Sequence, residues 1–144
     1  MKDRILVVDD QCDVADSLVR LLKVLGYEAR AIYDGRNAAD VAANFLPDMA
    51  FIDIGMPDFD GYQTVSKIRR HRECAHAILV AFTGLANREA KQRAYEAGFD
   101  LHVAKPVNID KLQEVLSLLN PTASNQLTAN TFRLTAEWTK TKGA

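Results

Sequence analysis

The chain has 144 residues, 48% hydrophobic and 26% charged, with a formal net charge of −1. That length suits one domain around a single core, and the near-neutral charge gives no bulk attraction to nucleic acid or a membrane surface. No apolar run approaches the roughly 20 residues of a membrane span, no signal peptide is visible, and Cys12 and Cys74 are not spaced for a metal, so a cytoplasmic location with reduced thiols is expected.

Strand-like and helix-like stretches then alternate along the chain. Ile5-Leu6-Val7-Val8 is a continuous apolar run, as a strand covered on both faces requires, and it closes on Asp9 and Asp10. Val14, Leu18, Leu21, Leu22 and Leu25 recur at helical spacing, which predicts a helix over 11–25. Gly26 is placed to stop it with a positive φ. Tyr27 to Tyr33 reads as a second strand and Asp34-Gly35 as a turn. Ala38, Val41, Ala42 and Phe45 mark a second helix ending before Pro47.

A third strand from about Asp48 ends on Asp53, and the loop Ile54-Gly55-Met56-Pro57-Asp58-Phe59 follows. Asp60 and Gln63 have capping-box spacing for a third helix. Arg69-Arg70-His71-Arg72 is expected to decorate its C-terminal end, where the helix dipole favours cations. A fourth strand from Ala77 to Phe82 leads into Thr83-Gly84. Asn87 is the expected cap of a fourth helix ending at Gly98, whose apolar side is small, notably Ala90 and Ala94. A fifth strand from Asp100 to Ala104 precedes Lys105-Pro106. Asn108 caps a fifth helix with the apolar face Ile109, Leu112, Val115, Leu116 and Leu119, ended by Asn120-Pro121.

Strands alternating with helices of this length imply a parallel sheet with right-handed crossovers. The fold class is therefore α/β, a flavodoxin-like doubly wound five-stranded parallel sheet of strand order 2-1-3-4-5 with five helices. The domain is expected over 1–120. The tail 121–144 differs in composition, but Phe132, Leu134, Ala136 and Trp138 alternate with Arg133, Thr135 and Glu137, so it is expected to dock on the domain or on a partner without forming a separate domain.

Ligands of such sheets bind outside the carboxyl ends of the strands. Here that rim gathers Asp9, Asp10, Asp53, Thr83 and Lys105. Two like charges about 4 Å apart repel by roughly 4 kcal/mol at an effective dielectric near 20. Three acids facing one lysine therefore call for a hard cation, for which Mg²⁺ (or Mn²⁺) suits the oxygen donors. A carboxylate can also be a nucleophile that forms an aspartyl-phosphate. On this reading Asp9 and Asp10 hold the metal beside Asp53, Lys105 neutralises one phosphoryl oxygen and Thr83 hydrogen-bonds another. Taken singly, Asp10 could be no more than a helix cap and Lys105 a solvated lysine. Their order along one rim favours the shared site.

These residues resemble the receiver domains of two-component response regulators. The resemblance rests on Val7-Val8-Asp9-Asp10, Asp53 through Gly61, Thr83-Gly84, Glu96-Ala97-Gly98-Phe99-Asp100 and Lys105-Pro106-Val107, and covers residues 3 to about 119. It implies that Asp53 is the phosphoacceptor and that Asp9, Asp10, Asp53 and the Gly55 carbonyl hold the metal. It also implies that Thr83 and Lys105 contact the phosphoryl group and that Lys105-Pro106 is a cis peptide. The implied donor is a histidine kinase or a histidine phosphotransfer protein. The implied response is a switch in which Thr83 moves and His102 turns inward, altering a surface on the fourth helix, fifth strand and fifth helix for a downstream protein. The resemblance further implies that Gly55 and Leu85 stand at positions that, in the family, tune water access to the acyl phosphate.

Such a chain would catalyse its own phosphorylation and dephosphorylation and would not be a conventional enzyme. It would act alone or as a module of a hybrid histidine kinase. A phosphatase of the haloacid dehalogenase type would need an acid two residues after its nucleophile, where Asp53 has Gly55 and Asp9 has Gln11. A nucleotide site would need a Gly-rich phosphate loop, which is lacking. A flavin carrier would need a hydroxyl-rich loop where Asp9-Asp10-Gln11 stands. A degenerate interaction module would not need an intact acid cluster.

Overall fold

Five short strands set the architecture, and the alternation of side chains along each decides which helices cover which face. The computed structural model of the chain describes residues 3–56, 59–84 and 87–119. The proposed docking of the tail through Trp138, and the position of Leu85, lie outside them. In chain order the elements are β1 (Arg4–Val8), α1 (Cys12–Val24), β2 (Glu28–Ile32), α2 (Gly35–Phe45), β3 (Met49–Asp53), α3 (Gly61–Arg69), β4 (Ile78–Thr83), α4 (Arg88–Ala97), β5 (Leu101–Ala104) and α5 (Ile109–Leu116). All strand pairs are parallel and the order is β2-β1-β3-β4-β5. The expected doubly wound topology is therefore the observed one.

Side chains two apart on a strand share a face. Ile5, Val7, Met49, Phe51, Val80, Phe82, Leu101 and Val103 point to one side and pack with Leu18, Leu22, Leu112 and Val115 of α1 and α5. Leu6, Val8, Ala50, Ile52, Leu79 and Ala81 point to the other and meet Ala38, Ala42, Val65, Ile68 and Ala94 of α2, α3 and α4. Both faces being covered, β3 is buried at every position. The strand order reverses between β1 and β3, so the ends of these two strands flank the crevice where such sheets bind ligands.

The helix boundaries follow from local chemistry. Gly26 and Gly98 adopt φ of +99° and +123° just past α1 and α4, a region open to glycine without strain. Asn87 and Asn108 accept the N–H groups of Ala90 and Lys111, and Asp60 with Gln63 forms the full capping box of α3. Asp34 and Gly35 were expected as a turn. Instead Asp34 caps α2, accepting Arg36 N–H, and Gly35 is its first residue. β4 runs one residue later than expected, which takes Thr83 into the strand.

One expectation about the helices is corrected and another is extended. Ile109 is 45% exposed and is not part of the buried face of α5, because it is the first residue after the cap and the helix turns inward only from Leu112. Arg69 does lie in the basic last turn of α3, as expected, but its guanidinium turns inward. It donates to Gly98 O at 2.9 Å, Ala77 O at 3.0 Å and Asp100 Oδ2 at 2.6 Å, while Leu79 N–H donates to the same Asp100 oxygen at 2.8 Å. One guanidinium thus joins α3 to the start of β4 and to the α4–β5 connection.

On α4, Ala94 is the one fully buried residue, with Tyr95 and Ala97 partly buried against the core. A fully buried Leu or Phe contributes about 1.5–3 kcal/mol, so this small apolar face holds α4 less firmly than the leucines hold α1 and α5.

Candidate functional site

Three strands and one loop deliver the charged groups to one point. Asp9 directly follows β1. Its backbone N–H bonds Ile32 O at 3.0 Å, which holds it in line with the sheet, and its carboxylate is buried. Oδ1 accepts the N–H of Gln11 at 3.0 Å and Oδ2 accepts Lys105 Nζ at 2.8 Å. Asp10 is exposed on the rim. Asp53, the last residue of β3, is 7% exposed. Its Oδ1 accepts the Gly55 N–H at 3.0 Å, and its Oδ2 lies 3.3 Å from Lys105 Nζ.

Lys105 reaches this position because β5 runs beside β4. Thr83 pairs with Ala104, and the Lys105 N–H bonds Thr83 O at 2.7 Å. The Lys105–Pro106 peptide is cis, as the resemblance implied. The ammonium lies 5.2 Å from the centroid of the Phe82 ring, an additional contact that a partly buried cation favours.

One carboxylate oxygen from each of Asp9, Asp10 and Asp53 lies within 4.8 Å of the others. These three acids and Lys105 are therefore brought together as the sequence led us to expect. Burial pushes the Asp53 carboxyl above its ordinary range; the Asp9 charge adds to this, while the Gly55 N–H and Lys105 work against it. Burial alone would lower Lys105, but its hydrogen bond to Asp9 and the charges of Asp53 and Asp9 outweigh it and raise the ammonium. One cation facing three acids leaves negative charge in excess. All the donors are hard oxygens, a set that fits Mg²⁺ or Mn²⁺ and not zinc.

Thr83 is buried at the end of β4 and lines a cleft of about 430 Å³ with Gly55, Met56, Tyr62, Ala90 and Arg93. The cleft opens between the β3–α3 loop and α4. His102 is opposite Ala81 in the register, so it shares with Ala81 and Thr83 the sheet face that α4 covers. Gly55 is exposed, and a Cβ there would lie 3.5 Å from Asp53 Oδ1, an ordinary contact. Glycine is thus not sterically required at this position, and its absence of a side chain leaves one flank of Asp53 open.

Sequence reasoning did not anticipate the Phe82 ring beside Lys105, nor the contact of Arg93 with the Tyr62 ring at 4.1 Å that ties α4 to α3. Both depend on which residues of neighbouring elements meet, and no local pattern reports that.

Among the described residues no helix is long and apolar enough to cross a membrane. A family model described as the response regulator receiver domain matches residues 5–117. The sensor histidine kinase RcsC of Escherichia coli (strain K12) is 36% identical over 114 residues, which are 79% of this chain and 12% of that protein. The DNA-binding dual master transcriptional regulator RpaA of Synechocystis sp. is 28% identical over 120 residues, 83% of this chain and 50% of that protein. The chain thus spans from about an eighth to half the length of these relatives. Among solved structures, the chemotaxis protein CheY4 of Vibrio cholerae superposes with a TM-score of 0.78 at 25% identity, covering 82% of this chain and 98% of that one. A CheY-like receiver domain protein of Methanospirillum hungatei does so with a TM-score of 0.75 at 26% identity, covering 92% and 99%. With the ordered rim residues, the parallel β2-β1-β3-β4-β5 sheet and the match over residues 5–117 in agreement, the chain belongs to the response regulator receiver domain family.

Proposed function

We propose that Asp53 accepts a phosphoryl group from a phosphohistidine on a histidine kinase or a histidine phosphotransfer protein, acting in the cytoplasm. The observation that carries this reading is a buried carboxylate at the end of the central strand with each oxygen already engaged, Oδ1 by the Gly55 N–H and Oδ2 by Lys105. In the transfer an Asp53 oxygen bonds to phosphorus while the P–N bond breaks, and its electron pair leaves with the imidazole nitrogen. No separate base is required, since the nucleophile is already an anion. Lys105 and the Gly55 N–H favour that anion against the burial that opposes it.

Asp9, Asp10, Asp53 and the Gly55 carbonyl are assigned to hold Mg²⁺ (or Mn²⁺). When bound, such an ion neutralises negative charge on the carboxylates and on the phosphoryl oxygens. Lys105 is assigned to a second phosphoryl oxygen and the Thr83 hydroxyl to a third. Positioning and charge stabilisation are the main demands of phosphoryl transfer, and these groups supply both. The reaction has no released product other than phosphate from self-dephosphorylation, so the chain is not a conventional enzyme.

The proposed response runs through Thr83 and His102, which share the sheet face under α4. Because α4 buries little apolar surface, a small change at Thr83 suffices to shift it between two arrangements. The output surface is accordingly α4, β5 and α5, presented to a downstream protein.

The test is incubation with acetyl phosphate or phosphoramidate and Mg²⁺, read by intact mass. The wild-type chain should gain a single phosphoryl adduct and Asp53→Asn none. An adduct of equal yield on both would refute the assignment of Asp53.

A further inference from the structure

The Asp60-Gly61 pair that closes the β3–α3 motif has no part in the chemistry above, yet Gly61 touches the backbone of the phosphoacceptor strand. A Cβ added to Gly61 would lie 2.5 Å from Ile54 Cα, 2.6 Å from Asp53 O and 2.8 Å from Ile54 Cγ2. Carbon contacts are most favourable at about 3.5–4.0 Å. The first two of these atoms belong to the backbone at the end of a central strand, so no rotamer change relieves the overlap. Gly61 does not have a positive φ. Glycine is required there for space and not for backbone freedom.

The other side of this helical turn is backed in the same way. Thr64, fully buried, donates its Oγ1 to Asp60 O at 2.9 Å. A Cβ on Gly35, the first residue of α2, would overlap Thr64 Oγ1 and lie 2.9 Å from Phe59 O. The first turn of α3 is thus wedged between the start of α2 and the end of β3, and the Asp60–Gln63 capping box fixes its own geometry. Two glycines, distant in sequence, allow two close approaches in series.

We propose that Gly61 is a positioning residue for Asp53, with Gly35 and Thr64 as its backing. The first turn of α3 sets the end of β3, and with it the angle at which the Asp53 carboxylate meets the Gly55 N–H and Lys105. The effect on phosphorylation rests on the phosphoacceptor reading; the effect on the Gly55 hydrogen bond does not.

The experiment compares full-length wild type, Gly61→Ala, Gly35→Ala and Gly35→Ala/Thr64→Ala. It reads the Gly55 amide by isotope-edited NMR without metal, the rate of labelling by acetyl phosphate at saturating Mg²⁺, and the thermal midpoint. Gly61→Ala should shift the Gly55 amide, hasten its hydrogen exchange and slow labelling about tenfold or more, as a small misplacement of a reacting group does. Gly35→Ala should do the same more weakly. Adding Thr64→Ala, which removes the nearer overlapping oxygen and leaves the 2.9 Å approach to Phe59 O, should return the amide and the rate part of the way toward wild type while the thermal midpoint stays low. A purely structural role would lower the midpoint and leave amide and rate unmoved, and that result overturns the proposal. If Gly61→Ala does not fold, the Gly35→Ala pair decides by the same readouts. If wild type is never labelled on Asp53, the phosphoacceptor reading fails while the Gly55 amide still decides this one.

Discussion

The two ends of the sheet each set an acid against a long basic side chain, and they do so to opposite effect. At the N-terminal edge Arg69 meets two carbonyls and Asp100, and Asp100 also accepts a strand N–H. Each guanidinium nitrogen there donates to an oxygen, and the pair carries one charge of each sign. At the C-terminal edge Lys105 stands between Asp9 and Asp53 with Asp10 close by, so negative charge exceeds positive. The first arrangement fastens elements together. The second leaves negative charge unbalanced, as the proposed cation site requires. Residue types alone do not separate the two; the count of partners does, and four perturbations pull them apart.

The largest effect is expected from Lys105→Ala. Removing one preorganised charge partner from a developing transition state typically reduces the rate by about 10²–10³, so labelling by acetyl phosphate should fall roughly 100-fold while the chain remains folded. Divalent-ion binding, measured by calorimetry, should hold or tighten, because the competing ammonium is gone. Full-rate labelling of this variant would remove Lys105 from the proposed chemistry.

Arg69→Ala should give the reverse pattern. Two carbonyl hydrogen bonds from a charged donor and an ion pair are lost, and hydrogen bonds to charged groups contribute about 1.5–3 kcal/mol each. Asp100 is half exposed and is resolvated, which limits the loss. We expect a net destabilisation of about 2–3 kcal/mol in a denaturant titration, with the labelling rate per folded molecule within about twofold of wild type. A variant of normal stability but impaired labelling would place Arg69 in the wrong class.

A smaller contrast comes from the metal. A ligand that binds the folded state alone stabilises it by RT ln(1 + [L]/Kd), about 1.4 kcal/mol at tenfold excess over Kd. Raising Mg²⁺ should therefore raise the thermal midpoint of wild type and of Arg69→Ala alike, and should do little for Asp9→Asn. Equal gains in all three would mean that the ion acts elsewhere than the acid cluster.

The fold was legible because its signals are local and repeated. Apolar runs, glycines past helix ends, and Asn or Asp before them fix the ten elements to within one to three residues at most boundaries. The rim was legible because the topology sends each strand-end residue to the same side, so Asp9, Asp53, Thr83 and Lys105 could be grouped from order alone. What stayed hidden depends on pairing between elements. Arg69 reads as one of four basic residues in a row, and nothing in that row says that it alone turns inward to Gly98 and Asp100. Ile109 fits the apolar stripe of its helix and fails only because the first turn stands clear of the sheet. Gly35 and Gly61 look like turn residues, and their role as contact points appears only when the atoms facing them are in place.

The smallest effect sharpens the comparison from within the acid cluster. The Asp53 pKa is raised, chiefly by burial, so the folded state holds this proton more tightly than the unfolded chain does. Its contribution to stability is therefore fully present below the ordinary carboxylate range, is lost as pH rises through the folded-state value, and is absent at neutral pH. Asp53→Asn removes an anion from the crowded site while its amide oxygen can still accept the Gly55 N–H. At neutral pH without metal the variant should be the more stable by about 1 kcal/mol, a rise of a few degrees in thermal midpoint. The advantage should shrink as pH falls and the wild-type carboxyl takes up its proton, which its raised pKa makes it do sooner than an ordinary carboxylate. It should also shrink, or reverse, with Mg²⁺ present, because wild type gains from the ion more than the variant does. Asp100→Asn at the balanced edge should instead destabilise at neutral pH, since Arg69 then loses its counter-charge. Were Asp53→Asn the less stable protein at neutral pH without metal, the two edges would be alike, and excess charge would not mark the functional one.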